Sequence, residues 1–277
     1  MEKKWTFDSD ATQGYTNVRQ AFTREFLGAV RQQMELVTAL DVGCGVGYFS
    51  KFLSDLGFHV VALDGRQENA TEAKRRYPEI TFLAKNAEDP SLQGIGNFDF
   101  VLCVGLLYHL ENPFRAIRNF YSLTGKLMLV ESMYIPGAEV GLRFLDEAPT
   151  DNQGLSYVAF YPTEPCLVKM LYKAGFPFVY RFQRLPEEKQ FATTLWRKRS
   201  RTFLAASKVA LTAPNLVLAE EPTDASFGRS DPWNTALYRM RDFCANRLFK
   251  LRVLAARFVK PTRRDEKQET SGPARTS

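Results

Sequence analysis

The stretch Ala39-Leu-Asp-Val-Gly-Cys-Gly-Val-Gly-Tyr-Phe-Ser50 decides the fold. An apolar run over 37–42 ends in three alternating glycines, Gly43, Gly45 and Gly47, and an amphipathic run over 48–56 follows at once. This pattern reads as a buried strand, a tight turn and a helix. Glycine accepts positive φ and lets backbone approach a ligand closely. The helix N-terminus offers unpaired N–H groups beside that ligand. A plain strand-to-helix turn would carry the same glycines, so the neighbouring strands have to separate the two readings.

His59-Val-Val-Ala-Leu-Asp64 reads as the next strand, and Asp64 closes it about twenty residues after the turn, where nucleotide-binding βαβ units keep an acid for ribose hydroxyls. A dinucleotide site spaces its glycines as G-x-G-x-x-G. Here the spacing is Gly43-x-Gly45-x-Gly47, and Asp41 precedes it. A carboxylate beside the turn suits a ligand carrying an ammonium group and repels a pyrophosphate.

Four pieces in order carry a resemblance: Leu40-Asp-Val-Gly-Cys-Gly-Val-Gly-Tyr-Phe49, Val60-Val-Ala-Leu-Asp64, Asn86-Ala-Glu-Asp89 and Phe98-Asp-Phe-Val-Leu-Cys-Val-Gly-Leu-Leu-Tyr-His-Leu110. At these residues the chain resembles the class I S-adenosylmethionine-dependent methyltransferases, over the span 35–210. The resemblance implies an α/β fold, a doubly wound, mostly parallel, Rossmann-like sheet of seven strands, and S-adenosylmethionine as cofactor. It also implies a site. Asp41, Gly43, Cys44, Gly45 and Gly47 would hold the methionine part, and Asp64 with Gly65 the ribose. Asn86 and Ala87 would meet the adenine, while Val104 and Gly105 end the fourth strand beside the sulfonium. Many relatives carry Asp where Asn86 stands; an amide oxygen still accepts from an adenine amino group. An ordinary turn role for Asn86 stays open.

The composition, 45% hydrophobic and 25% charged over 277 residues, belongs to the ordinary soluble class. The longest apolar run, 100–108, is far short of the ~20 residues of a spanning helix, and the first ten residues lack the apolar core of a signal peptide. Cys44, Cys103, Cys166 and Cys244 are scattered, which speaks against a zinc site or disulfide framework and fits a cytoplasmic location. The net charge of +6 is uneven: residues 233–264 hold nine Lys and Arg against one Asp, so the rest of the chain is slightly acidic. The basic character therefore does not argue for nucleic acid.

The domain reading follows the chain. Residues 1–34 form a helical cover whose helix starts at a capping Asn17 and runs to about Met34, with Trp5, Phe7 and Tyr15 lining the cover or docking it. Residues 35–210 form the Rossmann-like domain, with strands expected over 37–42, 59–64, 80–84, 98–104, 126–131, 178–183 and 202–207. Helices are expected over 48–56, 67–77, 114–123 and 164–174. The stretch 132–165, with seven Pro and Gly residues, reads as a loop-like lid. Residues 211–233 read as a linker, 234–260 as a basic amphipathic helix, and 261–277 as a disordered tail. The basic helix suits packing, self-association, peripheral contact with an anionic membrane or, as a lesser alternative, nucleic acid.

Methyl transfer from a sulfonium is an in-line displacement in which the protein mostly holds donor and nucleophile in line. A hydroxyl nucleophile benefits from a base. His109 is the candidate, because it follows the fourth strand at the expected cleft and imidazole titrates near neutral pH. A structural or cofactor-contact role is its alternative. Tyr15, Tyr108, Glu131, Tyr157 and Tyr161 are candidates for the acceptor side. No metal site is expected. The leading function is S-adenosylmethionine-dependent methylation of a small-molecule or carrier-linked acceptor, at oxygen. Two alternatives remain at this stage. One is a tRNA wobble-uridine-modifying transferase, which the Gly105-Leu-Leu-Tyr-His109 stretch resembles; the other is a non-catalytic cofactor-binding partner protein.

Overall fold

A computed structural model describes residues 4–192 and 199–223 of the chain. The elements are α1 (Asp10–Val30), β1 (Thr38–Val42), α2 (Tyr48–Asp55), β2 (His59–Asp64), α3 (Gln67–Arg76), β3 (Thr81–Ala84), β4 (Phe98–Val104), α4 (Pro113–Leu123), β5 (Thr124–Tyr134), β6 (Leu142–Asp146), β7 (Val158–Pro162), α5 (Glu164–Ala174), β8 (Phe178–Phe182), β9 (Ser200–Ser207) and β10 (Leu216–Leu218). The main sheet has the order β10-β8-β9-β5-β4-β1-β2-β3. Strands β1 to β5 pair in parallel, and β9, β8 and β10 add antiparallel to one side. The chain reverses direction of winding between β1 and β4, the place where open α/β sheets leave a crevice beyond the strand ends.

Successive residues of the central strands serve opposite faces, the period-two rule of a pleated strand. Leu40, Val101, Met128 and Leu204 pack with Ile117 and Phe120 of α4 and Leu167 and Leu171 of α5. Their neighbours Ala39, Phe100, Leu127 and Phe203 pack on the other side with Phe26, Leu27 and Val30 of α1 and Phe52 and Leu53 of α2. Burial on both faces explains why these strands read as near-continuous apolar runs.

All seven expected strands form. Leu216–Leu218, expected within the linker, adds an eighth, because it finds the open edge of β8 and pairs there antiparallel. The first helix departs further. It begins at Asp10 rather than after Asn17 and ends at Val30. Ser9 is its cap, accepting from the Thr12 N–H at 3.4 Å. Gly14, which suggested irregular chain, sits inside the helix; the cost of about 1 kcal/mol for such a glycine is outweighed by the buried face of α1. The lid region is not structureless either, since β6 and β7 pair antiparallel within it as a separate two-stranded sheet. No described helix is long and apolar enough to cross a membrane. The expected basic helix 234–260 and the tail lie outside the described residues.

Candidate active site

The glycine turn is fixed to the end of β2. Gly43, Gly45 and Gly47 all take positive φ (74°, 54° and 92°), which only glycine adopts without strain. The Gly43 and Cys44 N–H groups donate to the Leu63 carbonyl at 2.8 and 3.0 Å, and the Gly45 N–H donates to Asp64 Oδ2 at 2.9 Å. The other Asp64 oxygen accepts from the Arg66 N–H at 2.9 Å and Asn69 Nδ2 at 3.1 Å. Burial raises the Asp64 pKa despite these donors. Asn69 is 2% exposed, and its Oδ1 has no hydrogen-bond partner.

Above the turn lies a cavity of about 470 Å³. Gly43, Cys44, Asp64 and Gly65 line one end of it, with Asn69. Asn86, Ala87, Val104 and Gly105 continue the wall, and Tyr15, Tyr108, His109 and Tyr161 line it further on. The expected cofactor residues are thus mostly brought to one wall, with corrections at Gly45, Gly47 and Asp41. Gly45 and Gly47 shape the turn without lining the cavity: the open side of Gly45 faces the Phe7 ring, and that of Gly47 faces Tyr77 and Phe82. Asp41 lies beneath the turn, 2% exposed, with Ser50 Oγ donating to it at 2.6 Å. Burial, and the nearby Asp64, push its carboxyl up to about 7. Asn86 Oδ1 accepts from the Glu88 N–H at 3.0 Å, so the turn role holds while the residue still lines the cavity.

On the acceptor side, two of the five expected residues depart. Glu131 does not face the cavity. It is fully buried and receives Tyr15 Oη at 2.9 Å, Arg201 Nη1 at 2.9 Å and Arg19 Nη1 at 3.4 Å. Burial alone would raise its pKa, but the two guanidiniums hold it below the ordinary carboxylate value. Buried away from the cavity, this carboxylate does not meet an acceptor amine; it anchors two arginines. Tyr157 also misses the cavity: it precedes β7 in a left-handed conformation (φ 56°), 41% exposed. Tyr108 and Tyr161 reach the wall as expected. Arg201 Nη2 donates to Tyr108 Oη at 3.0 Å, and Arg199 Nη1 donates to Tyr161 Oη at 3.0 Å.

The arginines themselves were missed. Tyr15 and Arg19 are four apart on α1, so one helix face delivers both. Arg201 lies opposite Met133 in the β5–β9 register, diagonal to Glu131, but no sequence signal gives that register. A roof closes the turn end. Phe7 and Tyr15 line the cavity, whereas Trp5 is buried and does not line it. The Thr6 N–H and hydroxyl donate to the Asp151 carboxylate, and Arg66 Nη2 donates to the Gly154 carbonyl at 2.9 Å. His109 lines the cavity beyond β4, its Nδ1 2.6 Å from Glu147 Oε1. Among the described residues no three His, Cys, Asp or Glu side chains group as a metal site.

Residues 40–126 match the family described as a methyltransferase domain. The Ubiquinone biosynthesis O-methyltransferase of Caulobacter vibrioides is 34% identical over 112 residues, covering 38% of this chain and 44% of that protein. Its namesake in Xanthomonas axonopodis pv. citri is 30% identical over 145 residues, covering 50% and 60%. The chain thus spans about half the length of these curated relatives. The solved N-terminal domain of EvdMO1 with SAH bound superposes with a TM-score of 0.56 at 18% identity, over 68% of this chain and 80% of that one. Sheet order, glycine turn and the solved neighbour agree on the fold, which is class I methyltransferase-like and Rossmann-like, and residues 40–126 within it match the methyltransferase domain family.

Proposed function

We propose that the protein is an S-adenosylmethionine-dependent methyltransferase acting on a hydroxyl of a small-molecule or carrier-linked acceptor. The observation that carries this reading is the turn end of the cavity. There Gly43, Cys44, Asp64 and Asn69 line the wall, and Asp41 lies buried below, accepting from Ser50 Oγ. Ribose hydroxyls would donate to Asp64. An amino-acid ammonium above the turn would favour the ionised form of Asp41 through the backbone between them. Asn86 and Ala87 fit the base end. The relatives' names, with O-methylation in them, support oxygen as the atom modified.

When bound, the cofactor supplies a methyl group on a sulfonium, which departs as a neutral thioether. The chain's part is to hold the acceptor oxygen in line and to take its proton. His109 Nε2 would accept the proton of the acceptor hydroxyl as its oxygen is methylated, the imidazole becoming imidazolium. Tyr108 and Tyr161 supply aromatic walls for the acceptor. Phe7 and residues 151–155 line the cavity and would shield a bound cofactor from part of the solvent. Cys44, Cys103 and Cys166 are free buried thiols, which supports action in a reducing cytoplasm.

Calorimetric titration with S-adenosylmethionine and S-adenosylhomocysteine tests the cofactor. Micromolar binding of both is expected, and methyl label from the cofactor should then appear in a low-molecular-weight fraction of source-cell extract. Binding of neither would remove the enzyme reading. Label appearing in tRNA instead would overturn the small-molecule reading.

A further inference from the structure

We propose that Glu147, carried by the β6–β7 insertion, is the positioning residue for His109, fixing its proton on Nδ1 so that Nε2 is free to act; the proposal rests on the base role given to His109 above. Glu147 follows directly after β6, and its N–H donates to the Tyr157 carbonyl at 2.8 Å, so its backbone is held by the hairpin. Its side chain is only 5% exposed, and that of His109 only 10%. A carboxylate taken out of water is costly unless it is paired or hydrogen-bonded. Both of its oxygens have work: Oε1 stands 2.6 Å from His109 Nδ1, and Oε2 accepts from the Gly154 N–H at 3.0 Å.

The contact with Nδ1 is close but oblique, and Nδ1 makes no aligned hydrogen bond. Catalytic hydrogen bonds of ligand-free sites commonly tighten only when substrate is present. The surroundings keep the pair together. A side chain at Gly154 would lie 2.3 Å from the His109 carbonyl oxygen, so the insertion is packed against the His109 loop as closely as a glycine allows. The Tyr108 ring covers His109 with centroids 4.1 Å apart.

The chemistry follows from these contacts. A carboxylate only accepts hydrogen bonds, so it selects the tautomer with hydrogen on the nitrogen it faces. The lone pair is then on Nε2, where the acceptor proton arrives. After transfer both nitrogens carry hydrogen, and the imidazolium charge lies against the Glu147 carboxylate. The insertion thereby contributes to the reaction without touching the reacting atoms.

The chain has only two histidines, His59 and His109, so ¹⁵N spectra of histidine-labelled full-length protein resolve both rings, and a His59→Asn variant assigns them. At a pH where His109 is neutral, the wild type should show hydrogen on Nδ1. Glu147→Gln keeps the side-chain shape and an oxygen for Gly154, but turns an amide donor toward Nδ1; His109 should switch to hydrogen on Nε2. Glu147→Asp, which retains the carboxylate, should keep the wild-type tautomer and covers the case of a Gln variant that fails to fold. Hydrogen on Nε2 in the wild type, or one tautomer in wild type and Glu147→Gln alike, overturns the proposal. The base reading fails separately: a His109→Gln enzyme with undiminished methyl transfer defeats that role whatever the tautomer.

Discussion

The two ends of the cavity are built in opposite ways. The turn end is made of neighbours in sequence. Gly43 to Asp64 form one βαβ unit, and its hydrogen bonds span about twenty residues. Its buried charges are carboxylates, Asp41 and Asp64. The far end is assembled from Tyr15, Arg19, Tyr108, Glu131 and Arg201, which come from α1, the loop after β4, β5 and β9. Its charge centre is a Glu131 carboxylate held by two arginines. A local unit can be read and can be altered with local effect; a cluster gathered from distant strands couples the site to the stability of the whole domain.

The largest effect should fall at the far end. Glu131→Ala leaves Arg19 and Arg201 buried without their counter-charge, and chemical denaturation should show a loss of about 3–5 kcal/mol. A loss near zero would mean the arginines relax into water, and the contrast between the ends would collapse. Next is His109→Ala, expected to lower turnover about 10²-fold while leaving cofactor affinity intact. If cofactor binding is what disappears, His109 belongs to the turn end instead.

At the turn end, Asp64→Ala should weaken cofactor binding about tenfold or more, since it removes hydrogen bonds to a buried carboxylate worth ~1.4 kcal/mol or greater. Unchanged affinity would move the ribose elsewhere. Asp41 sharpens the picture through pH. Its folded pKa of about 7 lies above the ordinary 3.8. In the ligand-free protein it is therefore protonated below about pH 7, and a cationic ligand has to ionise it. Cofactor affinity should fall as pH drops below 7, approaching tenfold per unit, and Asp41→Asn should flatten that slope. The sign for folding is opposite. The native state keeps a proton that the unfolded chain has lost, so this group's contribution declines as pH rises from about 4 to about 7. The smallest effect belongs to the roof: Thr6→Val removes one hydroxyl donor to Asp151 and should speed cofactor release about threefold, read by stopped flow, if that clasp is worth a typical hydrogen bond of ~0.5–1 kcal/mol.

Legibility in the sequence followed the same division. Most strands were read closely because burial on both faces leaves continuous apolar runs; His59–Asp64 and Phe98–Val104 form as read, while β5 and β9 extend beyond their expected ends. The start of α1 was misplaced because Gly14 looks like a breaker, whereas the cap that decides the matter, Ser9, lies five residues earlier. Glu131 looked like an acceptor ligand because it ends an apolar strand near the cleft. Its real partners, Arg19 and Arg201, are 112 and 70 residues away. Glu147 carried no signal at all, since β6 and β7 lie in a stretch whose prolines and glycines suggest only loop.

By itself, the sequence determined the sheet, the glycine turn and Asp64. These depend on local conformational preference and on the period of apolar residues, both written in contiguous segments. Only the tertiary structure decided that Asp41 sits under the turn, that Glu131 serves two arginines, and that Glu147 faces His109. Each of those depends on strand register and on how an insertion folds back. The free energy of such contacts is settled by burial and charge pairing in three dimensions, which spacing along the chain does not encode.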